Sequence, residues 1–446
     1  MKANSRFPLT LMTLGLLAGL SCSSSSEGDG SGGQTQGSGG AAGTGGVKGS
    51  GGATATGGAT SSGGAVGTGG SAIGGSSTGG SSTGGSATGG SSSGGATGSG
   101  GAATGGAGAG TGGGGAGVPP GNPNVCSFAS GLNVAWAQFA GDIPNPNLNT
   151  FNALFKNTHD AGGRVVRWWY HTNGTVTPGY DGSGMAVKIP QSHIDGVKAL
   201  LNAANTNGVA LDISLWSFDM LQDNAGAAYT NNQKLLEVDA NRQAYIDNYL
   251  TPLVKALKGT PGLYSYEIFN EPEGMSPTGW ATHRTTQAFI NKTVNWLAAA
   301  IHAADPVVLV TNGSQTFDYC SNVNGKTNNY SDASLMAAGG KPTGTLDFYE
   351  VHYYTINGPA VSPFKNPASH WGLDKKLLMG EFYALDTDGV AAADLYTYLY
   401  TNGYNGAWSW QYLTDDMAGT STKWPTMKVP MQNVYNAHMQ EVGSCP

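Results

Sequence analysis

Eight short apolar segments alternate with helical patterns between residues 121 and 446, and this repeat restricts the fold more than any other feature of the sequence. The strand candidates are Gly131–Trp136, Arg164–Tyr170, Val209–Trp216, Tyr264–Phe269, Val307–Thr311, Asp347–Tyr354, Leu377–Phe382 and Gly406–Trp410. Helical patterns between them include Leu148–Asp160, Gln191–Ala204, Gln233–Leu257 and Gln287–Ala303. Strands that are apolar along nearly their whole length, each followed by a helix, indicate parallel pairing with both sheet faces covered. Eight such units predict a single α/β domain, a (β/α)8 (TIM) barrel.

An open, doubly wound sheet is the alternative arrangement of alternating strands and helices. Such a sheet places a glycine-rich phosphate-binding turn after its first strand. The segment Gly131–Asp142 contains no such turn, and the closed barrel is therefore the prediction.

The residues that precede this domain differ sharply in composition. More than half of the 73 glycines lie between residues 27 and 120, whereas all ten Trp and all 19 Tyr lie beyond residue 121. A segment without aromatic residues cannot bury enough apolar surface to offset the chain entropy lost on folding. We therefore predict a disordered Gly/Ser/Thr/Ala-rich linker at residues 22–120 and one folded domain at residues 121–446.

The first 21 residues have the layout of an export signal peptide. Lys2 and Arg6 precede an apolar run, and a small residue, Ser21, comes directly before Cys22. The run is shorter than the roughly 20 apolar residues that span a bilayer. This N-terminus resembles a bacterial lipoprotein signal in which Cys22 is lipidated, and Ser23 after it favours the outer membrane. The alternative is an ordinary secreted protein in which Cys22 is incidental.

The charge balance restricts the class of ligand. The formal net charge is -7, and charged residues make up only 11% of the chain. Because a nucleic-acid-binding domain is expected to carry a basic face, this composition argues against nucleic acid as a partner. Abundant Trp and Tyr with few charges suit a neutral, hydroxyl-rich ligand such as a sugar.

Two carboxylates, Glu271 and Glu381, end the fourth and seventh strand candidates. The active site of a (β/α)8 barrel lies at the C-terminal ends of its strands, so both side chains are expected at the mouth. Glycoside hydrolysis needs two carboxyl groups on opposite sides of the glycosidic bond, one protonated and one ionised. The alternative is a pair of buried structural acids balanced by Arg167.

Chemically distinctive residues also end the other strands. They are Arg167, Trp169, His171, Trp216, His352, Tyr354, Trp408 and Trp410. Side chains alternate along a strand, so the members that come from one strand are expected to share a face. An Arg167 guanidinium beside Glu381 would hold that carboxyl ionised, and the resulting negative charge would favour the proton on Glu271.

Several of these segments resemble glycoside hydrolase family 5, and more closely the β-mannanases of molluscs and related animals. Ile268–Pro272 and Leu378–Phe382 look like the acid/base and nucleophile strands of that family. Further similar segments are Asp160–Gly163, Arg167–His171, Asn270–Met275, Ala303–Pro306, Ala338–Lys341, Asp347–Tyr349, His352–Tyr354 and Gly403–Trp410. The resemblance runs from about Gly131 to Trp410, which is nearly the whole domain.

The resemblance implies a role for each residue that matches the family motifs. Glu271 would be the acid/base and Glu381 the nucleophile of a retaining hydrolase. Arg167 and Tyr354 would orient and ionise Glu381, and His352 would hydrogen-bond near the acid/base.

The remaining matched residues are expected to contact the substrate. Asn270 would hold the sugar 2-hydroxyl, and Trp410 would form the floor of the cleavage subsite, with Trp408 on the same face as the alternative. Three further aromatic residues either line the subsites or pack in the core, namely Trp169, His171 and Trp216.

The cysteines beyond Cys22 are expected to form one disulfide. In a barrel, Cys126 precedes the first strand and Cys445 follows the last helix, so both lie at the bottom. Cys320 follows the fifth strand and belongs to the top. Since an exported chain can keep disulfides, we predict a Cys126–Cys445 bond and a free Cys320.

The sequence therefore predicts a secreted, endo-acting, retaining β-1,4-mannanase whose catalytic domain is residues 121–446. It would act on mannan or glucomannan as a monomer, outside the cell, held at the bacterial outer membrane through Cys22. No cofactor is implied, and no metal-binding motif occurs in the sequence. The alternatives are an endo-β-1,4-glucanase of the same family and a non-catalytic carbohydrate-binding surface lipoprotein.

Overall fold

The computed structural model describes residues 125–413 and 424–445. Its strands are β1 (Ala129–Asn133), β2 (Val165–Thr172), β3 (Ala210–Ser217), β4 (Leu263–Asn270), β5 (Leu309–Ser314), β6 (Tyr349–His352), β7 (Leu377–Glu381) and β8 (Gly406–Ser409). Its α-helices are α1 (Leu148–Asp160), α2 (Gln191–Thr206), α3 (Ala228–Glu237), α4 (Asp239–Tyr245), α5 (Thr251–Leu257), α6 (Gln287–Ala304), α7 (Asp332–Gly339), α8 (Leu395–Thr401), α9 (Trp424–Ala437) and α10 (Met439–Gly443). The predicted signal peptide, the predicted linker and Cys22 lie outside the described residues.

The eight strands form a closed barrel in which each strand pairs in parallel with the next and β8 pairs with β1. The predicted (β/α)8 barrel is confirmed, and each strand candidate overlaps an observed strand. The strands are buried on both faces; every residue of β2, for example, is buried. Outward side chains of β2 such as Val166, Trp168 and Tyr170 belong to the large apolar cluster that also contains the helices. This double burial explains why the strands read as continuous apolar runs.

One predicted helix, Gln233–Leu257, is divided in the structure. α3 ends before Val238, whose backbone is extended (φ -112°, ψ 116°), and a π-helical turn joins α4 to α5. The buried Arg242 guanidinium donates to the carbonyl oxygen of Leu236 at this break. The last carbonyl groups of a helix have no partner inside the helix, and Arg242 supplies one. A periodicity argument does not detect such a break, since the apolar spacing continues across it.

The lower end of the barrel interior is filled by apolar side chains. This lower layer, one contiguous buried cluster, consists of Val125, Cys126, Ala129, Val165, Ala210, Tyr264, Leu309, Phe348, Leu378, Trp408 and Cys445. A disulfide joins Cys126 to Cys445, with the Cα atoms 5.4 Å apart, and Cys320 is free and buried. This is the pairing that the sequence analysis predicted. The lower layer therefore closes the barrel beneath the strand ends.

Above the lower layer the interior becomes polar. Fully buried charged side chains point inward from four strands, namely Arg167, Asp212, Glu267 and Glu350. They lie directly beneath the C-terminal ends of the strands, where the predicted site residues stand. Among residues 125–413 and 424–445, no helix is long and apolar enough to cross a membrane.

Candidate active site

Glu271 and Glu381 meet at the mouth of the barrel. One carboxylate oxygen from each and one ring nitrogen of His352 lie within 4.8 Å of one another. The Glu381 side chain is 5% exposed and that of Glu271 is 13% exposed. The two predicted carboxylates are thus adjacent, and the more exposed one is Glu271.

Two donors fix the Glu381 carboxylate. Nη1 of Arg167 donates to its Oε1 (2.6 Å), and the Tyr354 hydroxyl donates to its Oε2 (2.7 Å). Burial raises the pKa of Glu381 to about 7, while the positive charge of Arg167 and the hydrogen bond from Tyr354 act in the opposite direction. Each oxygen therefore has its own donor, and both donors favour the ionised form.

Glu271 directly follows β4 and has a left-handed backbone (φ 44°, ψ 53°), which few residues other than glycine adopt. Its N–H donates to the carbonyl oxygen of Gly313 (2.8 Å), which anchors this conformation against β5. Backbone strain of this kind concentrates at functional sites and persists where the surrounding structure enforces it. The turn aims the Glu271 side chain into the mouth.

The environment of Glu271 favours its protonated form. Burial is the largest cause that raises the pKa of Glu271 well above its usual value, and the negative charge of Glu381 is the next. The like-charge repulsion predicted from the sequence is therefore the smaller contribution to the pKa of Glu271, and burial is the larger one. Nδ1 of His352 lies 3.0 Å from Glu271 Oε1. Burial, followed by the charge of Arg167, lowers the pKa of His352 well below its usual value, so the imidazole is neutral.

Arg167 is the hub of the hydrogen bonds beneath the carboxylates. It donates twice to Glu267, from Nε to Oε2 (2.8 Å) and from Nη2 to Oε1 (2.7 Å). It also donates to Asn133 Oδ1 and to Asn270 Oδ1, each at 2.8 Å. Asn270 is 1% exposed, and its amide nitrogen faces Ser217 Oγ (3.3 Å). The Asn270 side chain is thereby held in one orientation beside Glu271.

Sequence reasoning missed Asn133, Glu267 and Glu350, although a signal for each was present. Glu267 is the one charged residue of β4, a buried strand, and a buried charge needs an ionic partner. Glu350 precedes His352 by two residues and shares its face. Asn133 ends β1, and its amide donates to carbonyl groups of β7 and β8 (2.8 Å to Gly380).

An aromatic cluster lies beside the carboxylates at the rim. Trp410, 8% exposed, packs against Trp169 (ring centroids 5.4 Å apart) and Trp136 (6.3 Å). Tyr354 and Tyr383 pack against the same group. Trp169 also lies over the Arg167 guanidinium, 5.4 Å from its ring centre. Trp169 and Trp410 are therefore at the mouth, where flat faces suit the C–H surfaces of sugars.

Three of the predicted site residues do not reach the mouth. Trp408 is completely buried in the lower layer, next to Tyr264, and this corrects its proposed place in the cleavage subsite. Alternation correctly put Trp408 on the inner face but cannot tell a lower layer from an upper one. His171 and Trp216 stack on each other (4.5 Å) and are buried against Tyr245, so the core-packing alternative describes them.

Two groups of side chains have a spacing that a metal ion accepts. They are Glu267, Glu350 and His352, and Glu271, His352 and Glu381. No spacing motif in the sequence indicated either group, because each group combines residues from at least two strands. Arg167 contacts three of these carboxylates, at 2.6–3.0 Å, and supplies positive charge where a cation would lie.

The chain resembles known proteins over most of its described length. The family model described as cellulase (glycosyl hydrolase family 5) matches residues 128–416. A mannan endo-1,4-beta-mannosidase of Mytilus edulis is 34% identical over 311 residues, which are 64% of this chain and 83% of the relative. A protein of the same name from Cryptopygus antarcticus is 34% identical over 314 residues, 64% of this chain and 80% of that relative.

Solved structures that resemble this chain also include β-mannanases of invertebrates. The β-mannanase of the blue mussel Mytilus edulis superposes with a TM-score of 0.63 at 32% identity, over 69% of this chain and 91% of that one. A β-1,4-mannanase from the sea hare Aplysia kurodai has a TM-score of 0.64 at 30% identity, over 70% of this chain and 94% of that one.

Proposed function

The chain belongs to glycosyl hydrolase family 5, and we propose that it is a secreted, endo-acting β-1,4-mannanase that hydrolyses mannan or glucomannan with retention of configuration. It is a glycoside hydrolase by its family and by its relatives. The substrate class rests on the printed activity of relatives at 34% identity that are covered over 80% or more of their length.

The spacing of the two carboxylates is the observation that carries the mechanism. Retaining glycosidases place them about 5–5.5 Å apart, whereas inverting enzymes leave about 6.5–9.5 Å for a water molecule. The 4.8 Å limit on the distance between oxygens of Glu271 and Glu381 supports the retaining class.

The different environments of Glu271 and Glu381 assign them different roles in the reaction. Glu381, held by Arg167 and Tyr354, attacks the anomeric carbon and forms a glycosyl ester while Glu271 donates its proton to the leaving oxygen. Glu271 then removes a proton from the water that attacks the ester, which releases the sugar and regenerates Glu381. Trp410 offers its face beneath the reacting sugar.

Two alternatives remain to be tested against this proposal. The family description, cellulase, favours an endo-β-1,4-glucanase as the second candidate, since the same carboxylates serve both reactions. A non-catalytic carbohydrate-binding lipoprotein is disfavoured because a decayed site would have lost at least one of the residues that contact Glu271 or Glu381.

A panel of polysaccharides separates these functions. We expect the purified protein to release reducing ends fastest from β-mannan and glucomannan, and far more slowly from carboxymethylcellulose and xylan. The Glu381→Ala variant is the matched control for contaminating activity. Faster release from carboxymethylcellulose than from mannan would assign the glucanase function, and no release from any substrate would favour the binding protein.

The proposed location rests on the N-terminal sequence. Export by the signal at residues 1–21 and lipidation of Cys22 would hold the catalytic domain at the outer membrane through the Gly-rich segment. The full chain expressed in a Gram-negative bacterium should partition with membranes, and Cys22→Ala should release it as soluble protein. Equal partitioning of the two proteins would contradict the lipid anchor.

A further inference from the structure

Two buried polar groups that lack hydrogen-bond partners face each other beneath the reacting carboxylates. Glu350 on β6 is completely buried, and neither of its carboxyl oxygens has a hydrogen-bond partner. Nε2 of His352 also has none, and it lies 3.7 Å from Glu350 Oε1. Buried polar atoms are nearly always hydrogen-bonded, so this pair requires an explanation.

Arg167 approaches Glu350 but does not satisfy it. Nε of Arg167 lies 3.0 Å from Glu350 Oε1, yet its single hydrogen is directed at Glu267. A guanidinium has five N–H groups. All five are already used, two on Glu267 and one each on the three acceptors described above. Glu350 therefore receives no hydrogen bond from its nearest cation.

The local charges oppose an ionised Glu350. The titratable groups that face it from the surrounding strands are Arg167, Asp212, Tyr264, Glu267, His352 and Glu381. With His352 neutral, Arg167 is the one cation of this set, and it already pairs with Glu267 and Glu381. Burial is the main cause that raises the pKa of Glu350 well above its usual value, and Glu267 is the next. A third carboxylate here would be buried and would have to share the single charge of Arg167 with Glu267 and Glu381.

The backbone of the neighbouring strands makes room for the pair. A Cβ atom at Gly380 would lie 2.2 Å from Glu350 Oε1, and one at Gly313 would lie 3.0 Å from His352 Nε2. A side chain at either position would require its neighbours to shift, and at Gly313 a Cβ atom would meet Glu267 Oε1 more closely than His352 Nε2. β5 and β7 therefore carry glycine where the Glu350 and His352 side chains pass.

We propose that Glu350 is a positioning residue of this hydrolase: as a neutral carboxylic acid it donates its hydrogen to Nε2 of His352, which places the ring hydrogen on Nδ1, directed at Glu271. The inference rests on the proposed function for its catalytic consequence. Since Nδ1 contacts Oε1 of Glu271, the transferable proton of Glu271 resides on Oε2. The hydrogen bond alone fixes the tautomer, and no proton leaves Glu350. The 3.7 Å separation is longer than a normal hydrogen bond, so the proposal requires a rotation of the Glu350 carboxyl group that brings Oε1 nearer to Nε2.

Two substitutions distinguish loss of the hydrogen-bond donor of Glu350 from loss of its side-chain volume. Glu350→Gln keeps an N–H donor and cannot ionise, whereas Glu350→Met keeps the approximate volume and removes the donor. We expect the Gln variant to retain most of the kcat of the natural protein on β-mannan. The Met variant should lose about tenfold or more in kcat with little change in KM, since the effect is on proton transfer. Asp212→Asn, a buried carboxyl that makes no ion-pair contact with His352 within the described residues, is the matched control and should retain activity.

The pH profile distinguishes a neutral Glu350 from an anionic one. If Glu350 is already neutral, the Gln variant keeps both limbs of the kcat/KM profile where they are in the natural protein. If it is an anion, the Gln variant removes a negative charge beside both reacting carboxyls, and both limbs move to lower pH. Such a displacement, or a Gln variant as impaired as the Met variant, would overturn the proposal.

The tautomer of His352 provides a readout that needs no substrate. Long-range ¹H–¹⁵N NMR spectra, assigned with His352→Gln, should show the ring hydrogen on Nδ1 in the natural protein, in Glu350→Gln and in Asp212→Asn. A hydrogen on Nε2 in the natural protein would overturn the proposal even if Glu350→Met does not fold. A correct tautomer in a protein that is inactive on every polysaccharide would instead sink the proposed function and leave the role of Glu350 intact.

Discussion

The barrel interior has two regions of opposite character, although the same strands build both. The lower layer is apolar and tied by the Cys126–Cys445 disulfide. The upper region contains Arg167 and the buried carboxylates, with several polar atoms that lack partners. Uncompensated buried polar groups destabilise a fold, so the upper region requires a stable scaffold beneath it. The comparison indicates that stability is concentrated at the bottom of this barrel and chemistry at the top.

The boundary between the apolar lower layer and the polar upper region lies between Trp408 in β8 and Trp410, which directly follows β8. Trp408 and Trp410 share one face, and two residues along a strand advance about 6.6 Å. That distance takes Trp408 into the lower layer, with no exposed surface, and Trp410 to the rim, where it is 8% exposed. Substitutions at matched positions in the two regions should therefore damage different properties.

The largest effect is expected from removal of the proposed nucleophile. Glu381→Ala should lower kcat by at least about 10⁴-fold on every substrate, because no other group can form the glycosyl ester. Its melting temperature should fall only modestly, because Nη1 of Arg167 and the Tyr354 hydroxyl lose an acceptor while Arg167 keeps Glu267 as its partner and no apolar packing is lost. Azide should restore some activity and yield the glycosyl azide of inverted configuration. Unfolding of the variant would show that the upper region also supports the fold.

Removal of the proposed acid/base should have a smaller, substrate-dependent effect. Glu271→Ala should lose about 10²–10⁴-fold on mannan, where the leaving group needs a proton. It should retain relatively more activity on an aryl mannoside with an acidic leaving group, and azide should there give a product of retained configuration. Equal losses on the two substrates would argue against proton donation by Glu271.

The lower region should respond to substitution through stability alone. Trp408→Ala should lower the free energy of unfolding by about 3–5 kcal/mol, the usual range for loss of a buried Trp. The activity per folded molecule should change little. Trp410→Ala is the matched variant at the rim: it also loses packing against Trp169 and Trp136, but unlike Trp408→Ala it should raise KM. Denaturant titration and initial rates on both proteins check this, and similar losses of activity would erase the distinction between the layers.

The disulfide should contribute somewhat less. Replacing both Cys126 and Cys445 by Ala should lower the free energy of unfolding by about 2–5 kcal/mol, because a long loop then regains entropy in the unfolded chain. The two cysteines are 319 residues apart in the sequence. The kcat of the folded protein should stay the same, which initial rates measured well below the unfolding midpoints of both proteins check. A changed kcat would show that the disulfide at the bottom of the barrel affects the catalytic residues at the mouth.

The smallest effect is expected outside the barrel. Deletion of residues 31–117 should leave kcat and KM on soluble mannan unaltered, because a segment of this composition has no apolar surface to pack against the domain. A marked loss of activity would contradict the predicted role as a passive linker.

Most of the fold follows from the sequence because burial on both faces makes each parallel strand a continuous apolar run. The carboxylates Glu271 and Glu381 stand out for the same reason, since polar residues at the ends of apolar strands need a functional cause. The depth of a side chain inside the barrel has no such signal, and this is why Trp408 was misplaced. Glu267 and Glu350 stand out as acids within the strands, but their common partner Arg167 lies on another strand, and only the closed barrel brings the three together.

The configuration of the first product tests the central claim most directly. Hydrolysis of β-mannan by the natural protein, followed by ¹H NMR from the first minutes, should show the β anomer of the new reducing end before mutarotation produces the α anomer. That result is required if carboxylates as close as Glu271 and Glu381 act by double displacement. An α anomer formed first would contradict the retaining mechanism and the roles assigned to both residues.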